Sequence, residues 1–255
     1  MQKQPLGVLI IHGCTSSLDC VRGLEPPIKA LGLPTRMPVL RGHGAKSPEA
    51  LRGVTWHDWV ADGEAALQAL LTEAERVIVF GHSMGGLVAM TLAAEHALAV
   101  DSLVLAAAAV QLVSPLAPGR PLHFLVPVVR RIVRKWDLPP VYADPRLAQY
   151  DDNYRWAPMD ALLSFVEFTE VTRRRLAEVR VPTLILQSRK DTTVAPESAD
   201  LIYNGISTPQ EGKQIVWFDV TEHEMFLDCE REATIEAVVH YVRERAGLTQ
   251  KPGRA

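Results

Sequence analysis

The stretch Gly81-His82-Ser83-Met84-Gly85 follows an apolar run, Arg76–Phe80, and opens a helix-length window, Met84–His96. A G-x-S-x-G motif between a strand and a helix is typical of a nucleophile elbow, a tight turn that holds its serine in a strained backbone conformation. Glycines on either side of the serine remove Cβ atoms that would clash across the turn. The motif therefore predicts that Ser83 is a nucleophile that projects above a sheet.

Around this motif, apolar runs alternate with helix-length amphipathic windows. Strands are predicted at Gly7–Ile11, Pro34–Leu40, Arg76–Phe80, Ser102–Ala108, Pro182–Gln187 and Gln214–Val220. Helices are predicted near Asp19–Leu31, Trp56–Ala74, Met84–His96, Pro196–Ile206 and Arg231–Ala246. Because the strands are apolar throughout and helices separate them, the pattern predicts an α/β fold, with a doubly wound, mostly parallel six-strand sheet. The expected spatial order of the strands is 2-1-3-4-5-6.

Residues 110–180 break this rhythm. They hold 8 of the 18 prolines and contain helical patches, at Phe124–Val133 and Met159–Val179, but no convincing strand. A long connection inside a compact domain is usually functional. We therefore predict a helical cap, or lid, at 110–180, inserted into an α/β core formed by residues 1–109 and 181–255.

A serine nucleophile needs a general base, and in this architecture the order along the chain is serine, then acid, then histidine. Two histidines lie late enough in the chain. His223 falls in the loop after the sixth predicted strand, whereas His240 falls inside the last helical window, where a packing or solvated role is expected. The sequence therefore predicts His223 as the base.

The acid should lie at the carboxyl end of a strand, where ligand sites of open α/β sheets gather. Asp191 directly follows the fifth predicted strand. Asp200 falls in the next helix, Asp219 inside the sixth strand and Asp228 beyond the base. Asp191 is therefore the predicted acid that orients the imidazole of His223.

Hydrolysis through a serine also requires hydrogen-bond donors for the oxyanion. The loop His12-Gly13-Cys14-Thr15 leaves the first strand, which should neighbour the strand before Ser83. The backbone N–H groups of Cys14 and Met84 are the predicted donors. The Cys14 side chain is then incidental, since nothing in its surroundings predicts the low pKa that a nucleophilic thiol needs.

The motifs that carry a family resemblance span nearly the whole chain: His12–Ser16, Arg41–Gly44, Gly81–Gly86, Asp191 with Val194 and Pro196, Ser198–Asn204, and His223 with Leu227 and Asp228. With these motifs the chain resembles the α/β-hydrolase superfamily and, within it, the bacterial thermostable carboxylesterases and monoacylglycerol lipases. That resemblance implies hydrolysis of carboxylic esters by a Ser-His-Asp triad, without a cofactor. Two positions depart from the group, Cys14 at the first donor position and Lys190 in the turn of the acid.

Composition excludes several other classes. The 255 residues carry 27 basic and 30 acidic side chains, a near-balance that provides no electrostatic footprint for nucleic acid or for an anionic membrane surface. Three cysteines cannot all pair, and no cluster has metal-ligand spacing, so neither a disulfide scaffold nor a metal is predicted. The apolar runs are too short to span a bilayer, and the chain begins without a signal-peptide pattern. We expect a cytoplasmic protein, monomeric or homodimeric, with no stable membrane insertion.

The predicted activity is hydrolysis of small carboxylic esters with short-to-medium acyl chains. Monoacylglycerol lipases, lactonases, thioesterases and C–C bond hydrolases use the same triad, and they stay open as alternatives. Relatives with an aspartate nucleophile are excluded because position 83 is serine. A non-catalytic ligand-binding module could keep the same fold, since fold alone does not determine function.

Overall fold

The computed structural model describes residues 3–248. This part of the chain contains eight strands: β1 (Gln4–Ile11), β2 (Thr35–Arg36), β3 (Ala74–His82), β4 (Val100–Ala106), β5 (Lys135–Asp137), β6 (Trp156–Pro158), β7 (Thr183–Ser188) and β8 (Lys213–Phe218). Six of them form one parallel sheet in the order β2-β1-β3-β4-β7-β8. The prediction of a doubly wound, mostly parallel six-strand sheet is confirmed, including the order of its strands.

The described residues form the following α-helices, of which α5 and α6 belong to the 110–180 segment: α1 (Asp19–Arg22), α2 (Glu25–Lys29), α3 (Trp56–Leu70), α4 (Met84–Glu95), α5 (Val126–Ile132), α6 (Met159–Arg174), α7 (Glu197–Gly205) and α8 (Arg231–Arg245). Short 3₁₀ turns lie at Pro48–Leu51, His123–Leu125, Pro145–Tyr150, Leu176–Glu178 and Gln210–Gly212. The predicted helix Asp19–Leu31 is divided into α1 and α2. Pro26 and Pro27 explain the division, because they have no N–H groups to continue the hydrogen-bond ladder of α1.

Both faces of the central strands are buried, which explains why these strands carry apolar runs without alternation. In β3, Val77 and Val79 belong to one core cluster, whereas Ile78 and Phe80 belong to the cluster on the opposite face. Helix α4 is also buried over most of its length. At 12 residues it is too short for a bilayer, and no helix between residues 3 and 248 is both long and apolar enough to cross one.

Two expectations about strands need correction. The second strand was expected over Pro34–Leu40, but β2 covers only Thr35–Arg36. Pro38 has no amide hydrogen to offer the sheet, so the chain leaves the edge there. In addition, β5 and β6 form an antiparallel pair inside the 110–180 segment, where no strand was predicted. Each is three residues long, too short for a recognisable alternation of apolar and polar residues.

Candidate active site

Ser83 occupies the turn between β3 and α4 in a strained backbone conformation, with φ 53° and ψ −116°. The turn is so tight that a Cβ atom on Gly81 would lie 2.2 Å from the carbonyl oxygen of Gly85. A Cβ atom on Gly85 would lie 2.4 Å from the carbonyl oxygen of Ile11. Both glycines are therefore required, as the spacing of the motif predicts.

The structure brings together the three residues that the sequence predicted for the triad. His223 Nε2 lies 3.0 Å from Ser83 Oγ, and His223 Nδ1 lies 2.9 Å from Asp191 Oδ2. Asp191 follows β7 and His223 follows β8, so both come from the same carboxyl edge of the sheet as Ser83. All three side chains are buried. The arrangement forms a continuous chain of hydrogen bonds from hydroxyl to imidazole to carboxylate.

The surroundings of Asp191 stabilise its ionised form. Burial by itself raises the pKa of Asp191, but the adjacent His223 and several hydrogen bonds outweigh it and lower the pKa below its usual range. The Oδ1 atom accepts hydrogen bonds from the amides of Thr193, at 2.9 Å, and Val194, at 2.8 Å. Gln187 Nε2 lies 3.2 Å from Oδ2. The carboxylate is thus held in one orientation.

Asp191 in turn increases the basicity of His223. Burial disfavours the imidazolium and lowers the pKa of His223, but the negative charge and hydrogen bond of Asp191 reverse this effect and raise the pKa to about 9. Because Nδ1–H donates to Asp191, Nε2 is the nitrogen that faces the serine hydroxyl. In its unprotonated form the imidazole is therefore in the tautomer that can accept the proton of Ser83.

The structure places the competing candidates away from Ser83. His240 is exposed on α8, with its Nε2 3.4 Å from Glu244 Oε1. Asp219 is also exposed and pairs with Arg189 at 3.2 Å, and Asp200 is exposed on α7. These side chains are solvated, so only Asp191 and His223 accompany the serine among the groups that the sequence proposed.

Asp228, the remaining candidate acid, has a different place. Its carboxylate accepts hydrogen bonds at 2.8 Å from the amides of Glu222 and Cys229, on either side of His223 along the chain. It also accepts the amide of Ala143, from the 110–180 segment, at 2.8 Å. Asp228 therefore fixes the loop of His223 and connects it to that segment, a role that sequence reasoning missed.

The predicted oxyanion donors lie beside Ser83. A Cβ atom on Gly13 would contact Ser83 Cβ at 3.3 Å, so the loop of Cys14 runs next to the serine. Met84 begins α4 directly after Ser83. Within residues 3–248 neither the Cys14 amide nor the Met84 amide donates to a protein acceptor, so both N–H groups are available. Burial raises the pKa of the Cys14 thiol to about 12, which makes it a poor nucleophile at neutral pH.

Two buried histidines hold this loop, and sequence reasoning did not assign this role to either. His43 Nε2 accepts the amide of Thr15 at 3.0 Å, and His12 Nε2 accepts the amide of Leu40 at 3.0 Å. Burial lowers the pKa of His43 to about 3 and that of His12 to about 4, so both stay neutral acceptors. In the sequence, only the two glycines that flank His43, within Arg41–Gly44, marked this histidine as unusual.

A buried polar cluster lies next to His223. His82 Nε2–H donates to the carbonyl oxygen of His223 at 3.1 Å. Cys20, His82 and Glu224 each place one side-chain atom within 4.8 Å of the others. These residue types can bind metals, but burial raises the pKa of the Cys20 thiol and raises that of Glu224 to about 7, which favours their protonated forms. Positions 20, 82 and 224 are so far apart in the sequence that no ligand-spacing motif could have predicted this cluster.

A cavity of about 120 Å³ opens beside Ser83 and His223. The 110–180 segment supplies much of its wall, through the side chains of Leu138, Pro139, Pro140, Val141, Asp151, Asn153, Tyr154, Leu162 and Phe165. Apolar groups dominate this wall. Asp151, Asn153 and Glu224 give it one polar side, where Asn153 Nδ2 donates to Glu224 Oε1 at 3.1 Å. A bound molecule would therefore meet both an apolar and a polar surface.

The strand order, the strained serine turn and the edge of the sheet that carries the site are those of α/β-hydrolases, and this chain is one. Residues 3–230 match the profile of the serine aminopeptidase S33 family, so the chain belongs to that family.

Curated relatives are similar over almost the full length. The thermostable monoacylglycerol lipase of Bacillus sp. (strain H-257) is 29% identical over 249 residues, which cover 96% of this chain and 94% of that protein. The carboxylesterase of Bacillus subtilis (strain 168) is 24% identical, with 93% and 92% covered. A solved structure of the metagenome-derived lipolytic enzymes LipS and LipT superposes with a TM-score of 0.81 at 26% identity and covers 95% of each chain.

Proposed function

We propose that the chain is a serine esterase that hydrolyses carboxylic esters through Ser83, His223 and Asp191. The observation that carries this proposal is the hydrogen-bond chain from Ser83 Oγ to His223, at 3.0 Å, and from His223 to Asp191, at 2.9 Å. The lipolytic names of the curated relatives support carboxylic esters as the substrate class.

In the proposed mechanism, His223 Nε2 takes the hydroxyl proton as Ser83 Oγ attacks the ester carbonyl carbon. The amides of Cys14 and Met84 donate to the carbonyl oxygen, which becomes negatively charged in the tetrahedral intermediate. The intermediate collapses to an acyl-enzyme, and His223 gives its proton to the departing alcohol. Water then attacks the acyl carbon, again with His223 as base, and releases the acid and the free serine.

We further propose that residues 110–180 act as a cap that encloses the acyl chain. The apolar side chains that this segment contributes to the cavity, such as Leu138, Leu162 and Phe165, support that role. Each buried methylene contributes about 0.8 kcal/mol, so two or three added carbons should raise kcat/KM roughly 10- to 50-fold until the cavity is full. The preference that we propose is for short-to-medium acyl chains, about C4–C10.

The decisive experiment compares Ser83→Ala, His223→Ala and the double variant on a soluble short ester. Each single variant should lose about 10⁴-fold or more in kcat, and the double variant should be scarcely worse, because the two groups act in one step. A fluorophosphonate probe should label the wild type stoichiometrically and Ser83→Ala not at all. Near-additive losses would show that the two residues do not act in one step. No labelling of the wild type would refute the serine nucleophile in favour of a ligand-binding module.

A monoacylglycerol substrate is the second candidate, because the cavity has a polar side at Asp151, Asn153 and Glu224 that could accept the hydroxyl groups of glycerol. The first relative named above is a monoacylglycerol lipase. The test measures kcat/KM on nitrophenyl esters and on monoacylglycerols with the same acyl chains, from about C2 to C16, and compares the two series at each length. A monoacylglycerol advantage at every length favours the second candidate, and a flat profile would refute the enclosed acyl cavity.

A further inference from the structure

An apolar stripe lies exposed on the 110–180 segment. Phe124, Val128 and Ile132 are 71%, 54% and 76% exposed. They recur every fourth residue along the continuous helical stretch formed by the 3₁₀ turn His123–Leu125 and α5, so they share one face. Leu125, Val126, Val129 and Val133 are half-buried toward the protein. The helix therefore uses one apolar face for packing and presents a second one to solvent.

The segment that carries this stripe is also rich in cations. The 16 residues from Arg120 to Lys135 include five arginines and lysines and neither aspartate nor glutamate, in a chain whose net charge is −3. In the part of the chain that the structure describes, Arg120 pairs with Glu197 and Lys135 with Glu49.

The other three cations, Arg130, Arg131 and Arg134, are exposed and form no ion pair within residues 3–248. They line one shallow surface depression with Asp160, whose carboxylate instead lies 3.9 Å from Arg52. Together with Phe124, Val128 and Ile132 they form what we term the docking patch.

We propose that the docking patch binds the surface of an anionic lipid bilayer. Apolar side chains with adjacent cations are the combination by which a helix lies in the interface of an anionic membrane. The charges also argue against a second copy of this chain as the occupant. In a two-fold dimer the same patch would face itself and bring the unpaired arginines of both copies together.

The docking patch is connected along the chain to the wall of the cavity. Helix α5 runs into β5, and the chain then continues directly into Leu138–Val141, which line the cavity beside Ser83. A bilayer at the docking patch would therefore lie against the segment that forms the wall of the active site. The inference goes beyond the proposed esterase activity, since vesicle binding is measured without catalysis.

The test measures co-sedimentation of the full chain with two kinds of vesicle, phosphatidylcholine alone and phosphatidylcholine mixed with phosphatidylglycerol. We expect binding to the anionic vesicles that high salt weakens, and little binding to the neutral ones. The triple variant R130Q/R131Q/R134Q should bind about 100-fold more weakly, since each cation near the surface contributes about fivefold. The variant F124S/I132S should also lose binding, because it removes the apolar contacts.

Matched controls remove the same charge and the same apolarity elsewhere. The variant R22Q/R174Q/R231Q changes the net charge equally on other surfaces, and Leu98→Ser removes a side chain that is 95% exposed outside the segment. Both should bind like the wild type, and every variant should keep its circular dichroism spectrum and its hydrolysis of a soluble ester.

Three results would overturn the inference. The first is that the wild type binds both kinds of vesicle equally, and the second is that neither docking-patch variant weakens binding. The third is that the wild type binds no vesicles and instead forms a dimer in sedimentation velocity, which the docking-patch substitutions dissociate. The last result would assign the patch to contacts between copies. Loss of esterase activity with vesicle binding intact would instead concern only the proposed function.

Discussion

Because the backbone of Ser83 is strained, we expect the serine to make the fold less stable than a residue without a Cβ atom would. Its φ of 53° and ψ of −116° lie outside the regions that L-residues normally occupy. Such conformations are destabilising by about 1–3 kcal/mol each, and they persist only where the surrounding structure enforces them. Here the amide of Ser83 donates to Ala106 O at 2.9 Å, and the amide of Gly86 donates to the carbonyl oxygen of Ser83 at 3.0 Å.

Comparison of Ser83→Gly with Ser83→Ala isolates this strain. Both variants lose the hydroxyl and its 3.0 Å hydrogen bond to His223, and they differ only by the Cβ atom that opposes the turn. Glycine relieves about 1–3 kcal/mol of strain but loses about 0.4–1 kcal/mol through the greater freedom of the unfolded chain. We therefore expect Ser83→Gly to be more stable than Ser83→Ala by about 0.5–2 kcal/mol, or roughly 1–8 °C in Tm for a chain of this size.

Urea unfolding followed by circular dichroism measures this difference, provided that the two variants have the same m-value. Both should be inactive, so activity does not bias the comparison. Ala107→Gly supplies an independent check, because Ala107 also has a positive φ, of 45°, and lies outside the proposed triad. It should gain stability and keep its esterase activity. If Ser83→Gly were no more stable than Ser83→Ala, the conformation of the turn would not be strained, and the reasoning would fail.

Three further predictions concern the site. Because Asp191 raises the pKa of His223 and the base must be unprotonated, kcat/KM should fall as the pH decreases through a value above 6.5; a plateau that extends below pH 6 would contradict this. Gly85→Ala should prevent folding or reduce stability by more than about 3 kcal/mol in urea unfolding, because its Cβ would lie 2.4 Å from Ile11 O; a stable variant would show that the turn can relax. Cys14→Ala should keep most of its kcat, since only the amide is used, and a folded but inactive variant would indicate a role for the thiol.

The sheet and the proposed triad could be predicted because each of their signals is local. The turn that carries Ser83 is recognised from five consecutive residues. Strands β3 and β7 are recognised as short apolar runs bounded by polar residues and turns. Asp191 and His223 are distant from each other in sequence, but each directly follows or closely follows a recognisable strand. Since parallel strands of one sheet end at the same edge, the order of the strands was sufficient to bring them together.

The supports of the site could not be predicted, because they depend on contacts between distant segments. His43 reaches Thr15 across 28 positions, and Asn153 reaches Glu224 across 71. Nothing in the local sequence distinguishes a buried acceptor histidine from a solvated one. The carboxyl of Glu224 is still less predictable, since a glutamate in a polar loop is normally exposed.

The docking patch was also not predicted, because the net charge of the whole chain does not show how the charges are distributed. The near-balance of charge excluded an anionic membrane surface only on the assumption that the charges are evenly distributed. Instead, the 110–180 segment carries the exposed side chains of Phe124 and Ile132 together with three arginines that form no ion pair within residues 3–248. The same segment contacts the loop of Cys14 through the amide of Tyr154, which donates to Thr15 O at 2.9 Å. It contacts the loop of His223 through Asp228. The proposed docking patch and the residues around Ser83 thus belong to one connected unit, so that a bilayer bound at α5 would act on the segment that closes the cavity.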